Sequence, residues 1–324
     1  MLNMAVMMNG MLPIQVSTEV LTEPIVELRS IDLAKEQKFY ELERLLDVTD
    51  LTDPFVLFKA ALFSSGILVK KGSLKSQLKK LGGGLSITTK VDIPKGSGLG
   101  TSSILTGGIV LALSKIMGND LPPSELSNRV LVAEQLMTSG GGWQDVIGGM
   151  YPGMKITTTQ PGLTQVYEVS PILLPKEVEN ELNERGFLMY TGQRRLARSL
   201  LKRVVSNYLC NSPQSLSALD SIQRLVYDMS FCLRKRDIGS FGELLSEHMR
   251  LLRILDKSCS NLMLDHLMAE LGDFAVGSTL CGAAGGGFLY GIFKRGVGLE
   301  DLRNFVNKEY GGSAIEVYSC ELAN

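Results

Sequence analysis

A glycine-rich segment that joins a predicted strand to a predicted helix constrains the fold of this chain more than any other feature. Residues 85–93 (LSITTKVDI) alternate in polarity and are rich in β-branched side chains, which is typical of a strand. Residues 94–103 (PKGSGLGTSS), here called the glycine loop, follow directly, and apolar residues then recur at helical spacing from Ile104 to Met117. The first turn of a helix presents unpaired N–H groups and the positive end of the helix dipole. The arrangement therefore predicts an anion site suited to phosphate.

The glycine loop also allows a purely structural interpretation, that of a tight turn. Its spacing matches neither of the two commonest nucleotide-binding patterns, G-x-G-x-x-G and G-x-x-x-x-G-K-[ST]. Gly107 and Gly108 favour a functional interpretation, because each glycine inside a helix costs about 1 kcal/mol relative to alanine. We therefore expect something to pack very closely against this helix.

The amino-terminal half of the chain mixes predicted strands and helices. Extended segments are predicted in residues 1–30, with a hairpin turn at Asn9-Gly10, and the pattern changes to helix from Leu33 to Lys80. A further helix is opened by prolines at 122 and 123 and ended by Ser139 and the glycines at 140–142. Residues 143–155 are predicted to form a glycine-rich loop and a short strand.

The second half, beyond Pro161, continues the mixture without strict alternation. Strands are predicted at 186–191, 288–293 and 314–318, helices across 195–259 and near 299–308, and a glycine-rich segment at 277–287. This order predicts an α+β fold in two layers rather than a doubly wound parallel sheet.

Composition excludes several classes of function. The chain has 33 Lys+Arg and 34 Asp+Glu, a net charge of 33 − 34 = −1, which argues against a nucleic-acid partner. No apolar run reaches the ~18 residues of a membrane helix, and the start lacks the basic region of a signal peptide, so no membrane partner is expected. The five cysteines are odd in number and form no C-x-x-C pair, which indicates free thiols and a cytoplasmic location. The two histidines leave little room for histidine-based chemistry.

Two carboxylates are candidates for chemistry, and each has a plainer alternative. Glu134 borders the apolar stripe of its predicted helix, although a helical glutamate is more often a solvated surface charge. Asp145 stands next to glycines and close to the only tryptophan, Trp143, where it could act on a substrate or form a local turn hydrogen bond.

A second glycine-rich segment lies far along the chain, in residues 281–287 (CGAAGGG), and is here called the late glycine segment. It leads into a predicted strand. It could line the same cleft as the glycine loop from the other domain, or it could be a tight connection.

Taken together, these motifs resemble those of the GHMP small-molecule kinases. The glycine loop is similar to that superfamily's P-x-x-x-G-L-G-S-S phosphate loop, and CGAAGGGF is similar to its late C-G-A-G-G-G-G-F motif. The segments GGGWQD and YTGQRRLA make the match closest to the sugar kinases, and among them to those acting on L-fucose. The resemblance covers essentially the whole chain. It implies a two-domain fold, with a ribosomal-protein-S5-like ATP-binding domain in residues 1–169 and a ferredoxin-like domain in residues 170–324.

The resemblance also implies roles for individual residues. Asp145 corresponds to the family's catalytic base, and Ser102 and Glu134 to its magnesium ligands. Glu134 and Asp145 have the family's eleven-residue separation. The residues implied to hold the phosphates of ATP are Gly96, Ser97, Gly98, Leu99, Gly100, Thr101, Ser102 and Ser103. The residues implied to contact substrate are Gly142, Trp143, Arg195, Gly282, Gly285 and Gly286.

The implied reaction uses ATP and Mg²⁺ to phosphorylate the anomeric hydroxyl of L-fucose, giving L-fucose 1-phosphate. The alternatives are another sugar-1-kinase, acting on heptose, galactose or arabinose, and a catalytically weak relative that binds sugar and nucleotide. Fusion or coupling to a sugar-1-phosphate nucleotidyltransferase that consumes the product is a further implied partner.

Two positions depart from the family pattern. Ala284 stands where the family more often has glycine, a change expected to narrow the late glycine segment. The family's first motif, a strand and loop with a basic residue and a sugar-contacting aspartate, should precede the segment LNMAVMMNGMLPI. We therefore expect the amino-terminal domain to be incomplete at its start.

Overall fold

The computed structural model describes residues 1–94, 96–138, 142–162, 166–194 and 197–324, which divide into two compact units. The inserted unit comprises Pro13–Lys95 and Gly100–Tyr151. The flanking unit comprises Met1–Leu12, Gly96–Leu99 and Pro152–Asn324. The glycine loop therefore contributes residues to both units. The predicted α+β class is confirmed.

The elements are numbered in chain order. The strands are β1 (Leu2–Met4), β2 (Val6–Met8), β3 (Ile14–Leu21), β4 (Val26–Ser30), β5 (Lys35–Phe39), β6 (Gly84–Val91), β7 (Met154–Gln160), β8 (Val166–Pro171), β9 (Gly186–Thr191), β10 (Ala275–Leu280), β11 (Phe288–Phe293) and β12 (Ile315–Leu322). The helices are α1 (Val56–Ser64), α2 (Leu74–Leu78), α3 (Thr101–Ile116), α4 (Pro123–Leu136), α5 (Trp143–Met150), α6 (Lys176–Arg185), α7 (Ala197–Leu209), α8 (Pro213–Arg234), α9 (Ile238–Leu255), α10 (Leu262–Glu270) and α11 (Leu299–Glu309). None of the helices in the described ranges combines the length and the apolar composition needed to cross a membrane.

The inserted unit is built on a four-stranded sheet in the order β3-β6-β4-β5. Strand β6 pairs antiparallel with β3 and parallel with β4. Its alternating sequence sends Leu85 and Ile87 into the core, where they lie fully buried with Ile109 and Leu113 of α3. The strand and the helix on either side of the glycine loop thus belong to one hydrophobic core, which fixes the point where α3 begins.

Strand β5 corrects the sequence interpretation, which placed only helices after Leu33. Its residues pair antiparallel with β4, and Lys38 forms a 3.0 Å ion pair with Glu27 of that strand. Only Phe39 of the strand is buried. A lysine-rich edge strand has no alternating apolar pattern, so its strand character arises from pairing with β4 and leaves little trace in the sequence.

The flanking unit contains a five-stranded antiparallel sheet in the order β10-β11-β9-β12-β2 and a three-stranded sheet in the order β1-β7-β8. Every residue of β9 and β11 is buried. The predicted turn after β2 is confirmed, because Asn9 and Gly10 have φ of 50° and 74° and Met8 and Met11 exchange N–H···O bonds of 2.9 and 3.1 Å. The first strands of the chain therefore lie at sheet positions of this unit, as expected.

Two further elements were predicted incorrectly. Residues 143–150 form helix α5 where a loop was expected, and Val146 and Ile147 are fully buried in it. Strand β10 (Ala275–Leu280) overlaps the start of the expected glycine-rich segment at 277–287. A Cβ on Gly277 would lie only 2.0 Å from the carbonyl oxygen of Gly242 in α9. Close packing requires glycine in a regular element here, so tertiary contacts override local propensity.

Candidate active site

The glycine loop needs its glycines for conformational reasons. Gly96, Gly98 and Gly100 have φ of 70°, 80° and 67°, in the left-handed region that other residues rarely adopt. Gly100 is the N-cap of α3, and Thr101, Ser102 and Ser103 form its first turn. The alternate glycines thus turn the chain into a helix N-terminus, which is the arrangement expected of an anion site.

Asp145 lies directly against this turn. It is the third residue of α5, after the extended N-cap Gly142. A Cβ built on Gly100 would lie 2.8 Å from the Cβ of Asp145 and 3.2 Å from its carboxyl carbon. The inserted unit therefore brings together the end of the glycine loop and the predicted base, 45 residues apart in sequence.

Asp145 is reachable by solvent, yet the protein atoms around it keep much of its hydration away. This desolvation, followed in size by the negative charge of Glu134, raises the pKa of Asp145 to about 6. The alternative of a turn aspartate does not fit its local structure, because Asp145 lies in the first turn of helix α5. A carboxyl group that titrates near neutral pH is suited to accept a proton.

Glu134 is almost fully buried in α4, with 3% of its surface exposed, so the alternative of a solvated surface charge is wrong. The Oγ atom of Ser103 donates a 2.9 Å hydrogen bond to its Oε1 atom. The first turn of α3 is thereby tied to α4. A position bordering the apolar stripe was the one sequence signal for this burial.

The two residues predicted to hold magnesium carry oxygen donors, the type that a hard divalent cation prefers. Ser102 and Glu134 offer hydroxyl and carboxylate oxygens, and Glu134 lies close enough to raise the pKa of Asp145 by charge repulsion, which a cation would relieve. Within the described ranges, no group of three or more His, Cys, Asp or Glu side chains is placed to hold a metal. A bound cation there would need further oxygen ligands from phosphate or water.

The flanking unit supports the other part of the glycine loop. The Phe288 N–H donates a 2.7 Å hydrogen bond to the carbonyl oxygen of Ser97, which is buried. A Cβ on Gly287 would lie 2.2 Å from that oxygen, and one on Gly282 would lie 2.6 Å from the carbonyl oxygen of Gly98. The late glycine segment thus packs backbone to backbone against residues 97 and 98, which leaves no room for a side chain at Gly282 or Gly287.

Sequence reasoning missed the residues that hold the late glycine segment. The N–H and the Oγ1 atom of Thr191 both donate to the carbonyl oxygen of Gly287, at 2.9 and 2.8 Å. The Gly287 N–H donates to the carbonyl oxygen of Gln193 at 2.8 Å, and that of Gly285 to Cys259 at 2.8 Å. The YTG sequence was the available signal. It was noted only for its family resemblance and for Arg195.

The remaining predicted residues fall in three groups. Gly142 and Trp143 are the N-cap and first residue of α5, Gly142 being exposed and Trp143 half-buried. Gly285 and Gly286 have positive φ of 80° and 140°. Arg195 lies outside the described residues, as do the helix-ending residues 139–141.

Ala284 also has a positive φ, of 62°, and is buried. Glycine would adopt this conformation without steric strain, whereas alanine pays roughly 1–2 kcal/mol. The departure from the family pattern therefore lies at a position where the backbone itself favours glycine.

The chain matches known proteins in three ways. Residues 68–153 match the family model of the GHMP kinases N terminal domain. The chain is 34% identical over 321 residues to the "Bifunctional fucokinase/GDP-fucose pyrophosphorylase" of Arabidopsis thaliana, covering 99% of this chain and 30% of that protein. It is 34% identical over 301 residues to the "L-fucokinase/L-fucose-1-P guanylyltransferase" of Bacteroides fragilis, covering 90% of this chain and 31% of that protein. The chain spans about a third of the length of these curated relatives.

Solved structures share the fold. A mevalonate kinase crystal structure superposes with a TM-score of 0.69 at 18% identity, covering 99% of this chain and 91% of that chain. At this identity the likeness concerns the fold alone.

Proposed function

The chain belongs to the GHMP kinase superfamily, and from this premise we propose that it transfers the γ-phosphoryl group of ATP to the anomeric hydroxyl of L-fucose. The products are ADP and L-fucose 1-phosphate. The observation that carries the proposal is the contact between Gly100 and Asp145, since it sets a carboxyl group with a pKa of about 6 beside the helix turn suited to phosphate. The names of the two curated relatives support fucose as the acceptor.

Asp145 is the proposed base. Its carboxylate accepts a hydrogen bond from the sugar hydroxyl, orients the oxygen for in-line attack on the γ-phosphorus, and takes the proton as the new P–O bond forms. Because its pKa is about 6, the group is mostly deprotonated at pH 7 and still basic enough to be a useful acceptor. A carboxylate with the ordinary aspartate pKa would be a weaker base.

The glycine loop is the proposed binding site for the phosphates of ATP. Its backbone amides and the hydroxyl groups of Thr101 and Ser102 stabilise negative charge at the N-terminus of α3. Ser103 contributes its backbone amide, because its hydroxyl proton is already donated to Glu134. The residues assigned to this role are Gly96, Ser97, Gly98, Leu99, Gly100, Thr101, Ser102 and Ser103. The hydrogen bond from the Phe288 N–H to the Ser97 carbonyl oxygen supports the part of the loop that lies in the flanking unit.

Ser102 and Glu134 are the proposed ligands of a magnesium ion. When bound, the ion supplies positive charge for the β- and γ-phosphate oxygens. Ser103 holds the Glu134 carboxylate by its hydrogen bond and thereby limits the directions in which its oxygens can point.

Substrate contacts are proposed for Gly142, Trp143, Arg195, Gly282, Gly285 and Gly286. Gly282 also packs against Gly98, and this contact alone requires a residue without a side chain. Residues 1–169 are proposed as the ATP-binding domain and 170–324 as the carboxy-terminal domain. This division differs from the two compact units, because Met1–Leu12 and the residues from Pro152 onward belong to the flanking unit. The relatives carry a second activity in their names, which supports coupling of this kinase to a nucleotidyltransferase that consumes L-fucose 1-phosphate. The odd number of cysteines and the lack of a C-x-x-C pair in the sequence support a cytoplasmic location.

The test is a kinase assay across a sugar panel. Purified protein with ATP and Mg²⁺ is incubated with L-fucose, D-galactose, D-arabinose and a heptose, and sugar 1-phosphate is detected by ³¹P NMR alongside ADP release. We expect L-fucose to give the highest kcat/KM and Asp145→Asn to lower kcat at least about a hundredfold. Asp120→Asn, an exposed aspartate outside the proposed site, is the matched control. Absence of sugar phosphate with every sugar would refute the proposal, and preference for another sugar would replace fucose.

A further inference from the structure

We propose that a glycine-containing seam between α3 and α5 is a positioning device that holds Asp145 in register with the glycine loop. The seam consists of Gly100, Ile104 and Gly107 on the side of α3, and Asp145, Gly149 and Met150 on the side of α5. The inference rests on the proposed function, because it assigns to Gly149 and Gly107 the task of placing the catalytic base. Neither residue is among those proposed to contact substrate.

The two helices approach each other at glycines. A Cβ on Gly149 would lie 2.3 Å from both Cγ1 and Cδ1 of Ile104. A Cβ on Gly107 would lie 2.6 Å from Sδ and 3.0 Å from Cε of Met150. In each contact, one helix has a glycine and the other has a large side chain that fills the space beside it. Neither contact has room for a methyl group unless something moves.

The spacing of these residues places them on facing stripes. Positions 100, 104 and 107 recur at the spacing of one helix face, and Asp145 lies one turn before Gly149 on α5. Both helices belong to the inserted unit. Because α5 spans only eight residues, we expect a push at Gly149 to shift the short helix as a unit, including the first turn that carries Asp145.

The far end of the seam has no slack either. Asp145 already fills the space in which a Gly100 side chain would lie. A displacement of α5 therefore changes the distance between the carboxylate and the glycine loop, which is the distance that in-line transfer depends on. Misplacement of a reacting group by about 1 Å can cost a hundredfold in rate.

The poor helix propensity of glycine supports the same conclusion. Helix α5 carries two consecutive glycines, Gly148 and Gly149, and α3 carries Gly107 and Gly108. Glycine destabilises a helix interior relative to alanine, so a glycine there needs a compensating advantage, such as closer packing than any side chain would allow. At Gly149 and Gly107 that is the close approach of the two helices.

The first measurement is steady-state kinetics of Gly149→Ala in the intact chain. We expect kcat to fall by about 10- to 100-fold while the KM for ATP changes less than about twofold, because the methyl group displaces α5 and leaves the glycine loop in place. Gly239→Ala is the matched control. It adds a methyl group to a helical glycine whose nearest neighbour would be an ordinary 3.5 Å contact, and it should leave kcat unchanged.

The second measurement is rescue. Ile104→Ala removes both atoms that the new methyl group would strike. We expect the double variant Gly149→Ala with Ile104→Ala to recover kcat to within about threefold of Ile104→Ala alone. Additive losses in the double variant would overturn the proposal, as would an unchanged kcat in Gly149→Ala or a parallel rise in the KM for ATP.

A third readout does not depend on kinase activity. Trp143 is the only tryptophan in the chain and lies in the first turn of α5, two residues before Asp145. Its emission should change in Gly149→Ala, stay unchanged in Gly239→Ala and return in the double variant. If the wild-type protein phosphorylates no sugar, the proposed function fails, but Trp143 emission still tests whether the seam positions α5. Unchanged Trp143 emission in Gly149→Ala would overturn the positioning role.

Discussion

Gly100 packs directly against Asp145, leaving no room for even a methyl group between the N-cap of α3 and the first turn of α5. One residue is the last glycine of the loop proposed to bind phosphate, and the other is the proposed base. Their contact makes the proposed phosphate-binding turn and the proton acceptor parts of the same packed surface in the inserted unit. Either group can therefore be displaced by a change at the other.

Replacing Gly100 with alanine should impair catalysis severely. The Cβ would lie 2.8 Å from that of Asp145, and the residue has a φ of +67° that alanine adopts only with strain. We expect kcat to fall at least about a hundredfold and the melting temperature to fall by several degrees. Steady-state kinetics and thermal unfolding measure the two effects.

Gly118→Ala separates strain from contact. Gly118 has a similar φ of +70°, but a Cβ there would meet nothing within 4 Å. Both variants should lose the stability that the strained φ costs, Gly100→Ala should lose more because of its clash, and only Gly100→Ala should lose activity. Equal activity in the two variants would show that the contact with Asp145 does not matter for the reaction.

The acid limb of the activity profile should report the titration of Asp145. Desolvation, and then the charge of Glu134, raise the pKa of Asp145 to about 6, and the base must be deprotonated to accept a proton. We expect kcat/KM for the sugar to fall about tenfold per pH unit below pH 6. In Glu134→Gln the like charge is removed, so the midpoint should move to lower pH. A pH-independent rate between pH 5 and 7 would exclude Asp145 as the base.

The same pKa predicts that Asp145→Asn stabilises the free protein at neutral pH. A carboxyl group whose pKa is raised on folding costs nothing below its unfolded pKa, near 3.8. The destabilisation builds as pH rises from that value to the folded pKa of about 6 and is fully present above it. We expect a rise in melting temperature of about 1–3 °C at pH 7.5 and none at pH 4, with the effect kept small by solvent screening at this exposed side chain. Differential scanning calorimetry at the two pH values measures it. A loss of stability at pH 7.5 would contradict the raised pKa.

The sequence predicted best where local pattern and tertiary structure agree. The alternation of 85–93 and the helical spacing after Ile104 each correspond to an element, and the alternate glycines of the glycine loop all have positive φ. Helix α5 was missed because two consecutive glycines, Gly148 and Gly149, favour a loop when only local sequence is considered. Their helical state depends on Ile104 and on buried neighbours supplied from elsewhere in the chain.

The candidate site followed the same rule. The placement of Asp145 beside Gly100 could be anticipated only from family resemblance, because no local pattern links residues 45 positions apart. The partners of Gly287 were not anticipated at all. Thr191 is an ordinary residue at a strand end, and its role exists only because β9 and β11 are neighbours in the sheet.

Thr191→Val should weaken nucleotide binding with little effect on the chemical step. The substitution keeps the shape of the side chain and removes the hydrogen bond from Oγ1 to the Gly287 carbonyl oxygen, which then keeps only the bond from the Thr191 N–H. Loss of about 1 kcal/mol of support for the segment that holds Ser97 should raise the KM for ATP by roughly fivefold. Thr191→Ser, which retains the hydroxyl group, should remain near wild type. Equal KM values for the valine and serine variants would show that this hydrogen bond does not shape the glycine loop.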